Sequence, residues 1–251
     1  MTVYKGQVLT LRCGDFSETS QVVTLLGPDA GLVRCLAKGS KRGRNPFGGP
    51  LDRWTLGHAV FSLPDPNRLG TLMELYELER FEGLRAKLPA FLGASAATEL
   101  VLALVPEVEP QPEAFALAVE TLRHLAEAEP AAARAVAFAF AWRLLAALGY
   151  GPDLGHCAEC GAVVEDSGEA AGPRPFSGAL GGLVCPRCRA PDRTVRLTAQ
   201  GVRAIRFLAS RPWDEVRRVR LADSTAKALR QALLSRAEEL AGQRLSAVEY
   251  V

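Results

Sequence analysis

The stretch His156-Cys157-Ala158-Glu159-Cys160-Gly161, answered by Val184-Cys185-Pro186-Arg187-Cys188-Arg189, decides how the chain is read. It contains two C-x-x-C pairs, with 24 residues between Cys160 and Cys185. That is the ligand pattern of a structural zinc site. A two-residue gap lets both thiolates of a pair point the same way from one tight turn. Gly161 stands where such a turn often needs a positive φ. The stretch between the pairs is rich in glycine and proline (Gly168, Gly172, Pro173, Pro175, Gly178, Gly181, Gly182) and could not fold by itself. Metal binding of roughly 10–16 kcal/mol at neutral pH would offset the cost of ordering it. Cys157, Cys160, Cys185 and Cys188 are therefore expected to hold one structural Zn2+, because four sulfur ligands leave no open position for catalysis. His156 could replace a ligand, but four thiolates suffice. Disulfides are the competing reading. They are disfavoured because Met1-Thr2-Val3-Tyr4-Lys5-Gly6-Gln7 does not read as an export signal, and reducing compartments rarely keep them.

On both sides of this stretch the periodicity is helical. Phe81, Leu84, Leu88, Phe91 and Leu92 have i, i+3, i+4 spacing, and Phe115, Val119, Leu122 and Leu125 define another apolar face. Pro106 to Glu113 reads as a break between the two. Pro130 opens a run from Ala131 to Leu148 that is apolar all round, as in a helix buried at a domain centre. After the second cysteine pair, Thr198 is a candidate cap for a helix carrying Val202, Ile205 and Leu208. Ser224 or Thr225 is the expected cap of a last helix through Leu229, Leu233 and Leu240. The cysteine loop thus interrupts one helical domain.

The first eighty residues read differently. Tyr4–Cys13, Gln21–Leu26, Leu32–Ala37, Trp54–Leu63 and Thr71–Glu79 are short strands separated by turn signals. Five such strands suit a small closed OB-type barrel, and the same period would suit an SH3-like one. The expected fold class is multi-domain β + α. An N-terminal five-stranded OB-fold barrel spans 1–80 and a helical domain 81–150 and 193–251, interrupted by a four-cysteine zinc-binding insertion at 151–192.

Between the third and fourth strands lies Lys38-Gly39-Ser40-Lys41-Arg42-Gly43-Arg44-Asn45-Pro46-Phe47-Gly48-Gly49-Pro50. Lys38, Lys41, Arg42 and Arg44 fall within seven residues, with no acid between Ala30 and Leu51. Long cations on a glycine-rich backbone can track phosphates, and Phe47 could stack on a base. A solvated basic loop is the bland alternative, but on a five-stranded barrel nucleic-acid binding is favoured. Net charge is only +2, so overall charge names no partner. Its distribution says more. Residues 1–80 carry ten basic and eight acidic groups and 201–251 carry ten and six, whereas 81–150 carry five and eight.

No G-x-x-x-x-G-K-[ST] phosphate loop, G-x-S-x-G turn or H-E-x-x-H pair occurs, and His58, His124 and His156 are scattered. Cys13 and Cys35 fall in strands, where buried cysteines are usually inert. The sequence reads as a binder rather than an enzyme. Ala135 to Trp142, the most apolar run, is too short to span a bilayer, so a soluble cytoplasmic protein is expected.

These pieces resemble a known family. Gly6-Gln7-Val8-Leu9 followed by Arg12-Cys13-Gly14-Asp15, then Ala37-Lys38-Gly39-Ser40-Lys41-Arg42, then Phe176-Ser177-Gly178-Ala179-Leu180-Gly181-Gly182-Leu183-Val184-Cys185, are similar to segments of the RecO family of bacterial DNA repair and recombination mediators. Asp15 stands where that family usually has Glu, and Asp52-Arg53-Trp54 replaces its usual Pro-Phe-containing run. The resemblance implies a nucleoid-associated protein that binds ssDNA and dsDNA and anneals complementary strands without ATP. It also implies work with RecR to load RecA onto DNA coated by the single-stranded-DNA-binding protein, whose C-terminal tail the helical domain receives. Lys38, Lys41, Arg42 and Arg44 are the expected strand contacts, with Arg12 and Arg34 on or near the barrel face. Arg217, Arg218 and Arg220 are a second candidate patch, and Arg123, Arg134 and Arg143 are candidates beside a tail groove. The main rival is a zinc-ribbon RNA- or transcription-associated binding module, for which metal removal would abolish binding. The others are a redox enzyme and a scaffold with no nucleic-acid role.

Overall fold

Alternating apolar residues, which place every second side chain on one face, resolve in the computed structural model into five long strands. They are β1 (Thr2–Asp15), β2 (Gln21–Gly27), β3 (Gly31–Ala37), β4 (Thr55–Leu63) and β5 (Gly70–Arg80). The structure describes residues 2–64, 69–164, 172–188 and 194–251; Gly168 of the glycine-rich stretch and Arg189 lie outside them. The strands close into a barrel in the order β1-β2-β3-β5-β4, with β3 and β5 parallel and the other pairs antiparallel. This is the OB arrangement, and it separates the two barrel types that the strand period alone left open. Val8, Val23, Leu25, Val33, Cys35, Phe61, Leu72 and Leu75 fill the interior.

The chain divides into two compact units, Met1–Glu82 with Val105–Leu122, and Gly83–Leu104 with Arg123–Val251. In the first, residues 105–111 do more than separate two helices. The amide of Val108 donates to Leu32 O at 3.0 Å and that of Gln111 to Pro28 O at 2.9 Å, so the segment is fastened to the β2–β3 hairpin. Gly31 makes this approach possible. Its φ is +64°, and a Cβ there would lie 1.9 Å from Glu109 O.

The second unit contains α1 (Gly83–Ala86), α2 (Leu88–Leu104), the end of α3 (Pro112–Glu127), α4 (Pro130–Ala147), α5 (Ala199–Ser210), α6 (Trp213–Val216) and α7 (Asp223–Ala241). Helix α4 is apolar around its circumference and is the centre of this unit. It is long and apolar enough to cross a membrane by length and composition, unlike the shorter run read from sequence, and 67% of it is buried. Trp142 is fully buried there, edge-on to Phe176 at 6.4 Å between ring centres. Phe176 belongs to a small sheet that the sequence reading did not resolve. In it β6 (Arg174–Ser177) lies between β7 (Gly182–Leu183) and β8 (Thr194–Leu197). Thr198 caps α5 as expected, accepting from the Gly201 amide at 3.1 Å. The cap of α7 is not Ser224 or Thr225. Ala222 occupies that position without a side-chain bond, and Thr225 is buried within the helix. A glutamate on α2 fastens the C-terminal segment: Glu99 accepts the amides of Ser246, Ala247 and Val248 at 2.8, 2.7 and 3.1 Å.

Replacing Gly31 by valine adds both a positive-φ penalty and a clash with backbone. A stability loss of about 2 kcal/mol or more is expected, read as a lower urea midpoint. A midpoint equal to that of the parent would show that residues 105–111 do not press on this turn.

Candidate metal centre and nucleic-acid interface

Each cysteine pair sits in its own tight turn. The Gly161 amide donates to Cys157 O at 2.8 Å, with Gly161 at φ +71°, and the Cys188 amide donates to Cys185 O at 3.1 Å. The small sheet brings the two turns together, because Ala158 N donates to Leu183 O at 2.8 Å. All four Sγ atoms then lie within 4.8 Å of one another, and Cys160 and Cys185 are 3.8 Å apart. The edge of a zinc–sulfur tetrahedron with bonds of about 2.3 Å is about 3.8 Å. The thiols also titrate unequally. The Cys185 amide, donating to its sulfur, pulls Cys157 down to about 6, while the side-chain hydrogen bond with Cys160, followed by burial, pushes Cys188 up to about 12. Sulfurs this close cannot all ionise unaided, and a cation would relieve that conflict. The four residues fit a metal ion, which would tie the two turns together without chemistry of its own. His156 is outside the cluster, with Nδ1 3.2 Å from Asp153 Oδ2.

The basic loop, residues 38–50, leaves the barrel at the end of β3. Lys38, Arg42 and Arg44 are exposed and make no ion pair among the described residues. Lys41 differs, because its Nζ is 2.8 Å from Asp15 Oδ2 and its side chain is only 28% exposed. The loop is folded rather than loose. Asn45 Nδ2 donates to Arg42 O at 2.6 Å, and Asn45 Oδ1 accepts from the amides of Phe47 and Gly49. Phe47, read as a possible base-stacking group, is half-buried against the barrel core instead. At the far end, Thr10 is fully buried and fixes the corner Asp52–Thr55. Its hydroxyl donates to Asp52 O at 2.7 Å and accepts from Thr55 N at 2.9 Å. On the outer surface, Arg12 pairs across to Thr24 and Thr24 to Arg34. Two exposed arginines therefore flank one threonine, about 10 Å apart by strand spacing.

In the second unit, Arg217 is already committed, 2.7 Å from Glu127 and 2.8 Å from Asp214. Arg218 is exposed, and Arg220 donates to Arg217 O and Val219 O. Of the arginines considered for a tail groove, Arg143 instead stacks on Trp213 at 4.0 Å and donates to the carbonyls of Leu208 and Arg211. Arg134 does line a groove of about 350 Å³, with Leu88, Leu92, Pro130, Leu221, Tyr250 and Arg220, and pairs with Asp223 at 2.9 Å. Arg123 does not line it. Periodicity could not have revealed this groove, which is assembled from four separate segments.

An OB barrel carrying an exposed basic loop, and a helical unit built around α4 that also holds a four-cysteine cluster, define a two-unit β + α protein with a candidate metal site. Comparison with known proteins gives the particular family. Residues 1–79 match the family Recombination protein O N terminal, and residues 85–247 match Recombination protein O C terminal. The chain is 34% identical over 245 residues to the DNA repair protein RecO of Anaeromyxobacter dehalogenans strain 2CP-C, covering 97% of this chain and 93% of that one. It is 32% identical over 224 residues to that of Roseiflexus sp. strain RS-1, covering 89% and 76%. With that of Symbiobacterium thermophilum it shares 29% over 253 residues, covering 100% and 97%. The chain belongs to the recombination protein O family.

Cys13 and Cys35 face the barrel interior, and burial pushes both thiols up to about 12. They stay protonated and inert at neutral pH. Titration with a thiol reagent should find none of the six cysteines fast in the metal-loaded protein. Four should react after a strong chelator, and all six only in denaturant. Fast reaction without the chelator would show that the four-cysteine cluster holds no ion.

Proposed function

We propose that this protein is a DNA repair and recombination mediator that binds ssDNA and dsDNA and anneals complementary strands. With RecR it helps load RecA onto DNA covered by the single-stranded-DNA-binding protein. One observation carries this reading: Lys38, Arg42 and Arg44 stand exposed and unpaired among the described residues, on a folded loop of an OB barrel. Annealing requires two polyanions to be held together. Each cation placed near a phosphate releases condensed counterions and lowers their repulsion. Arg12 and Arg34 extend the cationic surface along β1–β3. Lys41 contributes less while Asp15 holds it. Arg217, paired twice, is a weaker strand contact than Arg218. The mediator acts by binding and not by catalysis, as a cytoplasmic, nucleoid-associated protein. One Zn2+ on Cys157, Cys160, Cys185 and Cys188 supports the fold of an insertion spanning 151–192 within a helical domain of 81–150 and 193–251, and residues 1–80 form the barrel domain.

The test is anisotropy of labelled single-stranded DNA against salt. Contact with Z phosphates gives a slope of about −0.7Z in log affinity against log salt. The Lys38→Glu, Arg42→Glu variant should bind much more weakly and with a flatter slope. Equal binding by parent and variant would move the site off the loop. Conversely, Asp15→Asn should strengthen binding about two- to threefold by freeing Lys41, as expected for an exposed ion pair.

The helical groove is the natural place for the acidic, apolar tail of the single-stranded-DNA-binding protein. It offers apolar walls with Arg134 and Arg220 at its rim. Arg134→Ala should weaken binding of a synthetic tail peptide about tenfold or more, while leaving DNA affinity unchanged. Unaltered peptide binding would place the tail elsewhere.

A further inference from the structure

Gln21 opens β2 and is 6% exposed, yet its carboxamide is spent on the basic loop. Its Oε1 accepts from Ser40 Oγ at 2.9 Å and from Leu51 N at 2.8 Å, and its Nε2 donates to Leu51 O at 3.0 Å. Ser40 is fully buried and Leu51 is 8% exposed. One uncharged side chain therefore grips the loop just after its first lysine and again at its far end. Two neighbours reinforce the near grip. The Gly39 amide donates to Ser20 Oγ at 3.0 Å, and the Lys41 amide donates to Thr19 O at 3.0 Å.

We propose that Gln21 is a positioning residue for DNA binding, which holds the loop in the conformation that presents Lys38, Arg42 and Arg44 without touching DNA itself. This rests on the reading of the loop as the strand-binding element. Any apolar residue of the right size would fill the barrel corner. A buried amide is retained there only with its hydrogen bonds made, because leaving buried polar groups unpaired is costly. All the bonds described for this amide end on Ser40 of the loop or on Leu51, the residue that follows it. A glycine-rich loop with four cations loses much backbone and side-chain freedom when it settles on phosphates. A loop ordered before binding loses far less, and the difference appears as affinity.

Two variants test this in the full chain. Gln21→Met keeps the volume and removes both kinds of hydrogen bond, and Ser40→Ala removes one partner alone. Each is compared with the parent and with Lys38→Glu, Arg42→Glu for binding of labelled oligothymidine, and by amide hydrogen exchange. Gln21→Met should weaken binding about tenfold, although every cation remains. Ser40→Ala should weaken it less, and should add nothing further in the Gln21→Met background, as members of one network do. Exchange should accelerate at Gly39, Lys41 and Leu51 while the β1–β4 ladder stays protected.

Binding equal to the parent in both variants, with the charge-reversal variant still defective, overturns the positioning role and leaves the loop as the DNA site. If charge reversal leaves binding intact, the loop reading fails and the positioning role fails with it. Should Gln21→Met not fold, Ser40→Ala decides alone. Exchange that accelerates throughout the barrel would show Gln21 acting on the fold, and would also overturn the proposal.

Discussion

Four sulfurs within 4.8 Å of one another are the constraint on which the turns between α4 and α5 depend. Such crowding is unfavourable for ionising thiols and favourable only where something draws them together. The segments they tie are poor in apolar side chains, and β7 has two residues. What that module does contribute is placed with care. Phe176 packs edge-on to Trp142 of the central helix. Arg206 donates to Leu154 O at 2.6 Å and Arg236 to Gly178 O at 3.0 Å, so α5 and α7 each hold one turn of the module. Gly178 lies so close to α7 that a Cβ would fall 2.1 Å from Ser235 O. The cysteine cluster and the helices therefore fix neighbouring turns of the same module.

The barrel solves a different problem. A closed sheet leaves no edges, but it must send one long connection from β3 to β4. Here that connection carries the positive charge. Self-repulsion among four cations would drive it open, and the fold opposes this with buried polar anchors together with apolar contact to the barrel core. Gln21 and Thr10 fix its two ends, and Phe47 is set into the barrel core between them. Hydrogen bonds suit this task better than burial alone, because they fix direction as well as proximity.

Much of this was legible in the sequence, and the parts that were not share one cause. Strands and the α4 helix depend on neighbours along the chain, and turn signals announced the strands as a nearly unbroken apolar run announced α4. The C-x-x-C pairs announced a shared ligand site, since a two-residue gap lets both thiolates point the same way from one tight turn. By contrast, Gln21 bonds to Leu51 thirty positions away and Glu99 to Val248 across 149. Neither residue differs in type from an ordinary surface polar group. The return of residues 105–111 to the barrel was hidden similarly, because two prolines among acids read equally well as a simple break. Phe47 was misjudged on chemistry alone: an aromatic in a basic loop suits base stacking, and only the tertiary fold shows that the barrel claims it.

The Lys41–Asp15 pair bears on how strongly such a loop grips a strand. With salt dependence of about −0.7 per phosphate contact on single strands, each cation removed from the interface shortens the lifetime of the complex and lessens its sensitivity to salt. Asp15 sits on the strand beside the loop and neutralises one of its four cations. On the proposed reading, a protein that holds two strands only until they pair would gain from this restraint. Maximal charge would give tight, slowly released complexes, whereas three free cations on an ordered scaffold give a grip that the annealed product can leave. Order and charge then act in opposite directions on one affinity. In that proposal the Gln21 network would raise it by removing loop entropy before binding, and Asp15 would lower it by competing with phosphate. The balance between them, more than the overall charge of +2, would then set how the proposed loop site meets DNA.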